Sequence, residues 1–239
     1  MRPRQTLLLG LLLLVPVLTF LFLNNFGTNH YALPYLLPDR VDSTRLPGSK
    51  QGWQRDTVFH QVRSFRLLSS AGRYLSSTEL NKGIYVAQFY AGDEPSALAG
   101  RQLLRVQEKF RQEPRVRVLS FVLNPGPTPA VTLPKLAEQY GTVAGKWFFL
   151  TGPADTMRAL AHNEFRYDVP YHRTIQGHPV TVEPAPGRLL LLDHDQRLRG
   201  VYDGRDGREI DRLLTEIDVL LYTYDHDHGN PATPGAGAR

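Results

Sequence analysis

The stretch GIYVAQFYAGDEPSALAGRQLLRVQEKF, residues 83–110, predicts a buried strand, a sharp turn and an amphipathic helix. Residues 83–90 form an apolar run bounded by glycines, which favours a central strand. Asp93 or Ser96 can cap the helix that follows, and Pro95 suits its first turn because the missing N–H would have no partner there. Apolar residues then recur at spacings of four, three and four and predict the helix face that meets the core, namely Ala99, Leu103, Val106 and Phe110.

The sequence beyond this stretch continues the alternation of strands and helices. Strands are predicted where it is continuously apolar or alternating, over 115–123, 147–150, 189–193 and 198–202. Helices are predicted where apolar residues recur every three or four positions, over 133–140, 154–165 and 207–224. Residues 166–187, rich in Tyr, His and Pro, are interpreted as a loop. This order predicts an α/β fold with a central mixed sheet and helices on both faces.

The N-terminus predicts a membrane anchor. Residues 6–23, TLLLGLLLLVPVLTFLFL, are uncharged, and as a helix they would span about 27 Å, close to the roughly 30 Å of a bilayer's hydrocarbon core. A cleaved signal peptide is the alternative, but its apolar region is usually shorter and followed by small residues, whereas NNFG follows here. Arg2 and Arg4 would keep the N-terminus in the cytoplasm, so we expect a single-pass protein of the inner membrane with its C-terminal part in the periplasm.

These signals divide the chain into five parts. We expect a cytoplasmic start over 1–5, a transmembrane anchor over 6–23 and a linker rich in Pro and Gly over 24–54. The folded domain is expected over 55–224, followed by a polar, disordered tail over 225–239.

The composition limits the chemistry. None of the 239 residues is a cysteine, which excludes disulfides, thiolate metal sites and thiol redox catalysis. The formal net charge is +5, but the basic residues are scattered rather than clustered, so we expect no nucleic-acid partner.

Several separated segments carry a resemblance to one family. They span roughly residues 26–222 and include VFHQVRSFRLLSSAGRYLSSTEL, GIYVAQF, FVLNPGPTPAVTLPKLAEQYG, KWFFLTG and LLLLDHDQRLRGVYDG. Together they resemble the Sco/SenC family of membrane-anchored, thioredoxin-like proteins associated with copper delivery to cytochrome oxidase. The resemblance implies a thioredoxin-like sheet flanked by helices. It also implies a role in oxidase assembly, with assembly proteins or an intact Sco-like relative as partners.

The same resemblance implies which residues have been lost. The family's copper ligands are two cysteines separated by three residues after the strand, and a histidine before the closing hairpin. In this chain the cysteine positions fall on Gly92 and Ser96, and the histidine position falls near Ala185. Without thiolates or imidazole at these positions, we expect no catalytic or cofactor-binding residue, and a non-catalytic binding or assembly module.

Histidines are the remaining candidates for metal ligands. His226 and His228 lie in the sequence DHDH, where carboxylates and imidazoles could bind Zn(II) or Cu(II) weakly, although a solvated tail is the simpler explanation. His172 and His178 lie in the 166–187 stretch near the lost histidine position and could replace it, or could be ordinary exposed histidines. The alternative function is therefore a periplasmic copper-binding protein that uses His and Asp ligands.

Acids and a hydroxyl at the turn also raise an enzymatic hypothesis. Asp93 and Glu94 could act as general acids, but acids at a helix start commonly cap free amides and complement the dipole. Ser96 could act as a nucleophile, yet no histidine lies nearby in sequence and no Gly-x-Ser-x-Gly elbow is present. We therefore expect that the protein is not an enzyme.

Overall fold

The parts of the chain that the computed structural model describes are residues 14–18, 33–45, 53–80, 83–175 and 178–226. The chain divides into two compact units, Met1–Ala32 and Leu33–Arg239. Only 14–18 of the predicted anchor are described, and these five residues are helical. Across the described ranges no helix has both the length and the apolar character to span a bilayer. The anchor and the tail beyond His226 stay predictions, because most of their residues lie outside the description.

A seven-stranded mixed sheet forms the centre of the unit that begins at Leu33. In order across the sheet, its strands are β11 (Leu198–Asp203), β10 (Arg188–Leu192), β5 (Ile84–Tyr90), β6 (Val116–Val122), β7 (Trp147–Thr151), β3 (Arg66–Ser69) and β4 (Tyr74–Ser76). Strands β5, β6 and β7 are mutually parallel, and the other neighbours are antiparallel. The predicted central strands and the mixed α/β fold are confirmed.

Helices cover both faces of this sheet. They are α1 (Glu94–Lys109), α2 (Pro129–Gln139), α3 (Ala154–Ala159), which continues as a π-helical turn over Leu160–Glu164, and α4 (Gly207–His226). One core contains α1, α2 and α4 with Ile84 and Val86 of β5, whereas the other contains α3 with Tyr85, Ala87 and Phe89. Strand β5 is thus buried on both faces, which explains its continuous apolar sequence. The predicted inner face of α1 is confirmed as well, because Ala99, Leu103, Val106 and Phe110 are all buried.

Two hairpins lie outside this sheet, and the sequence analysis missed both. Strand β1 (Pro38–Arg45) pairs antiparallel with β2 (Trp53–Phe59), in what was predicted to be a linker and the start of the domain. Strand β8 (Tyr171–Ile175) pairs antiparallel with β9 (His178–Val182), within the predicted loop 166–187. Among the described residues, the strands of each hairpin form a ladder with each other and with no third strand, so they need no alternation of apolar residues and gave no strand signal.

The folded unit also begins earlier than residue 55, because a buried ion pair fixes the chain at Leu33. The Arg199 guanidinium lies 3.0 Å from Asp193 Oδ2, with both side chains buried. Its remaining N–H groups donate to the carbonyls of Leu33 and Pro34, and it lies 4.0 Å above the Tyr35 ring. The carbonyls that this arginine binds exist in every residue, so the sequence carried no signal for the contact.

A chain of buried polar groups crosses the parallel strands. Trp147 Nε1 donates to Ser120 Oγ at 2.9 Å, and Ser120 Oγ donates to Gln88 Oε1 at 3.3 Å. Gln88 Nε2 in turn donates to the carbonyl oxygen of Ser96 in the first turn of α1. Gln88 and Ser120 are fully buried, so their polar atoms depend on one another for partners. These hydrogen bonds therefore link β7, β6 and β5 to the start of α1.

Removal of the hydroxyl in the middle of this chain should destabilise the protein. We expect Ser120→Ala to lower the free energy of unfolding by about 1–3 kcal/mol, because buried donors and acceptors would lose their partners. Ser64 is exposed, and Ser64→Ala should change that free energy by less than about 0.5 kcal/mol. Urea denaturation of the two full-length variants measures both values. Equal, small losses of unfolding free energy in the two variants would contradict the role assigned to the buried hydrogen bonds.

Candidate functional site

The turn between β5 and α1 is held by Asp93, which caps the helix. The Ser96 backbone N–H donates to Asp93 Oδ1 at 3.0 Å, and the Ser96 hydroxyl donates to the Asp93 carbonyl at 3.0 Å. Hydrogen bonding from Ser96 holds the pKa of the Asp93 carboxyl below its usual range, so this group is ionised at neutral pH. The cap predicted for this turn is therefore provided by Asp93.

A cavity of about 280 Å³ opens beside this turn, and we call it the turn cavity. Ala91, Asp93 and Ser96 line one side, and the loop 184–187 before β10 lines another. Ser96 and Ala185, which the family resemblance singled out, thus face the same space. Gly92 lies within the same turn, between Ala91 and Asp93.

Close approach of the two walls depends on Gly187. This glycine has a φ of +79°, and a Cβ at its position would lie 2.7 Å from the carbonyl oxygen of Pro95. Its own carbonyl accepts a hydrogen bond of 3.0 Å from the Gly204 N–H. Only a residue without a side chain fits both the backbone conformation and the available space, so the glycine lets the loop pack against the start of α1.

The third wall comes from residues that the sequence analysis did not single out. Tyr167 and Asp168 line the turn cavity together with Phe89 and Leu123. The rings of Phe89 and Tyr167 lie 5.0 Å apart, and burial raises the pKa of the Tyr167 hydroxyl above its usual value. That hydroxyl is therefore neutral at physiological pH.

Arg188 fixes the segment that supplies this wall. Its guanidinium donates to the carbonyls of Tyr167 and Val169 at 2.9 Å each and to that of Val182 at 3.3 Å. Arg188 is buried, and burial lowers the pKa of its guanidinium. One signal was available in the sequence, since an arginine directly before four leucines is unusual for a buried strand.

The three positions where the family carries its ligands do not fit copper. Gly92 has no side chain, and the Ser96 hydroxyl is buried and donates to the Asp93 carbonyl. Ala185 offers only a methyl group, so neither a thiolate nor an imidazole is present for Cu(I). Within the described ranges, no group of three His, Cys, Asp or Glu residues could hold a metal ion.

The predicted histidine ligands do not contribute to this site where the structure describes them. His172 is exposed, with Nδ1 3.1 Å from Thr181 Oγ1. His226 is exposed as well, with Nδ1 2.8 Å from the Tyr222 carbonyl. Neither residue lines the turn cavity. The side chain of His178, and all of His228, lie outside the described part, so those two assignments stay predictions.

Comparison with known proteins identifies the fold. No family model and no curated protein matches this sequence. Among solved structures, the chain is similar to a SCO1/SenC family lipoprotein from Bacillus anthracis, with a TM-score of 0.55 and 14% identity over 68% of this chain and 95% of that one. BsSco, described as a member of the Sco family of cytochrome c oxidase assembly proteins, matches with a TM-score of 0.53 and 20% identity over 67% and 93%.

A third similar structure is copper-bound ScoI from Arabidopsis thaliana, with a TM-score of 0.50 and 12% identity over 68% of this chain and 99% of that one. At such identities a structural likeness establishes the fold alone. The chain therefore has the thioredoxin-like α/β fold of Sco proteins, which confirms the predicted resemblance at the level of fold.

Copper ligands introduced at Gly92, Ser96 and Ala185 test whether these three positions lie close enough to share one metal ion. We expect the variant G92C/S96C/A185H to bind Cu(I) about tenfold more tightly than G92C/S96C/R208H, a difference of about 1.4 kcal/mol, because only the first adds an imidazole near the thiolates. Gly92 has a φ of +84°, and the strain of a cysteine in this backbone is common to both variants, so it does not affect the difference between them. Arg208 is exposed on α4 and does not line the cavity. Competition with a Cu(I) chelator measures the two affinities. Equal affinities would show that Ala185 does not occupy the third ligand position.

Proposed function

We propose that this protein is a divergent Sco-type module of the cell envelope that binds a partner protein during respiratory oxidase assembly, without copper or thiol chemistry of its own. The observation that carries the proposal is the turn cavity. It lies where the Sco resemblance puts the copper ligands, it is shaped by Gly187 and Arg188, and yet Gly92, Ser96 and Ala185 provide no ligand for copper. A retained cavity with lost ligands favours binding over metal transfer.

The proposed location rests on the N-terminal sequence. Residues 6–23 are long and apolar enough to cross a bilayer as a helix, and Arg2 and Arg4 favour a cytoplasmic N-terminus. The folded unit that begins at Leu33 would then face the periplasm, tethered to the inner membrane. A binding module placed there would meet membrane-embedded partners such as an oxidase subunit or an intact Sco-like relative.

Three observations support binding rather than catalysis. The chain has no cysteine, so thiol oxidoreductase chemistry is excluded. The Ser96 hydroxyl donates to the Asp93 carbonyl, and no histidine or lysine is among the described residues that line the turn cavity, so neither of these residue types is placed there to activate Ser96. The lowered pKa of Asp93 makes it a poor proton donor at neutral pH.

The alternative, a copper-binding protein with His and Asp ligands, has no specific support in the described residues. His172 and His226 are exposed and are hydrogen-bonded to Thr181 and to the Tyr222 carbonyl, respectively. Retention of copper by the intact protein distinguishes this alternative from the proposed binding module.

Photo-cross-linking from the rim of the turn cavity tests the proposal. A benzophenone amino acid replaces Pro184, an exposed residue at the rim, or Arg208 on α4 as the matched exposed control. In native membranes we expect Pro184 to capture an oxidase subunit or an assembly protein, identified by mass spectrometry, and Arg208 not to capture it. Capture of the same proteins from both positions, or of none from Pro184, would overturn the proposed function.

A further inference from the structure

We propose that the turn cavity binds a cationic side chain on an apolar stem, such as a lysine or arginine of the partner protein. This inference rests on the proposed function and names the chemistry that the cavity recognises. Its walls are mainly apolar, formed by Phe89, Leu123 and the Pro184–Gly187 loop. Two carboxylates, Asp93 and Asp168, add negative charge to this apolar lining. An alkyl chain that ends in a positive charge complements both features.

The size of the cavity favours one side chain. Its volume of about 280 Å³ lies just below the roughly 300–1,000 Å³ that is typical of pockets for drug-sized ligands. A single long side chain would fit within this space. The stem would replace water along the apolar walls, and this burial would contribute most of the affinity.

Both carboxylates are accessible to a ligand. Asp93 Oδ1 accepts the Ser96 N–H, and Asp168 Oδ2 lies 2.6 Å from His162 Nδ1. The side chains of Asp93 and Asp168 are both exposed at the cavity, so their oxygens can be reached by a ligand. The low pKa of the Asp93 carboxyl keeps it charged at physiological pH. A bound cation could thus pair with these oxygens without displacing the helix cap.

The arginines nearest this site are already engaged. Arg205 pairs with Asp203, with Nε and Nη2 at 2.9 and 2.7 Å from the two carboxylate oxygens. Arg188 donates to the backbone carbonyls that hold the Tyr167 segment. Neither guanidinium forms a hydrogen bond with Asp93 or Asp168, although the charge of Arg188 lies close enough to act on Asp168.

An anionic ligand is the main competitor, because α1 begins at the cavity and helix N-termini attract anions. In this protein Asp93 already occupies that position and accepts the Ser96 N–H. A second anion would meet the charge of Asp93 and, across the cavity, that of Asp168. The aromatic ring of Tyr167 also favours a cation, since its π face attracts positive charge.

Three probes with the same alkyl chain and different charge test the inference, namely n-butylammonium, 1-butanol and butyrate. The full-length, isotope-labelled chain in zwitterionic nanodiscs is titrated with each probe at pH 7.5 and followed by NMR. We expect saturable shifts of the Ala91, Asp93 and Gly187 amides with butylammonium, at least about threefold tighter than with butanol, and no saturable shift with butyrate. The butylammonium affinity should fall as salt is raised.

A pair of double variants isolates the two carboxylates. D93N/D168N removes both charges while asparagine still caps the helix, and we expect a loss of butylammonium affinity of about tenfold. D211N/D218N makes the same change in net charge at exposed ion pairs with Arg105 and Lys109, and we expect the affinity to stay within about twofold.

Specific outcomes would overturn the inference. Tighter binding of butyrate would identify an anion site, and equal binding of butanol and butylammonium would identify a purely apolar pocket. Absence of any saturable shift, or equal losses in the two double variants, would also overturn it. If cross-linking from Pro184 persists in any of these cases, only the ligand class is wrong. If Pro184 captures neither an oxidase subunit nor an assembly protein, the proposed function itself is overturned.

Discussion

The hydrogen-bond chain from Trp147 through Ser120 and Gln88 to Ser96 is the constraint on which the site depends. The three parallel strands that it crosses are buried on both faces, so no water is available to replace a missing partner. Because the last acceptor is the Ser96 carbonyl, the chain also fixes the first turn of α1 against the sheet. The side of the turn cavity that α1 supplies is therefore positioned by the centre of the fold.

Two further contacts add walls to the cavity beside this fixed turn. Gly187 permits the loop before β10 to approach Pro95, and Arg188 ties the Tyr167 segment to the same loop through backbone carbonyls. None of these contacts involves Gly92, and none involves the side chain of Ala185. The cavity can therefore persist although the side chains at these positions supply no metal ligand. The contacts that shape the cavity are thus separate from Gly92 and from the side chain of Ala185.

Those parts of the fold with regular apolar patterns were predictable from the sequence. The strand over Ile84–Tyr90, the inner face of α1 and the closing hairpin were predicted because buried elements leave a periodic or continuous apolar signal. The hairpins β1–β2 and β8–β9 left no such signal, because each is held by its own backbone hydrogen bonds outside the main sheet.

The site was only partly predictable for a related reason. Asp93 followed from helix capping, and Ser96 and Ala185 followed from the family resemblance. Tyr167 and Asp168 did not, because a buried arginine bound to carbonyl oxygens brings them to the cavity. Carbonyl oxygens are common to all residues, so sequence patterns cannot identify such a contact. Gln88 and Ser120 could have been noticed as polar residues inside apolar runs, although not as members of one chain.

Copper retention by the unmodified protein tests most directly the proposal that this chain binds no copper of its own. The full-length protein is loaded with Cu(I) or Cu(II) in the presence of a competing chelator, desalted, and its metal content is measured. We predict that the desalted protein retains well below one equivalent of either copper ion per protein molecule. Retention of one equivalent of copper would contradict this prediction. Loss of the retained copper on replacing His172 and His178, or on removing residues 225–239, would then locate the metal site.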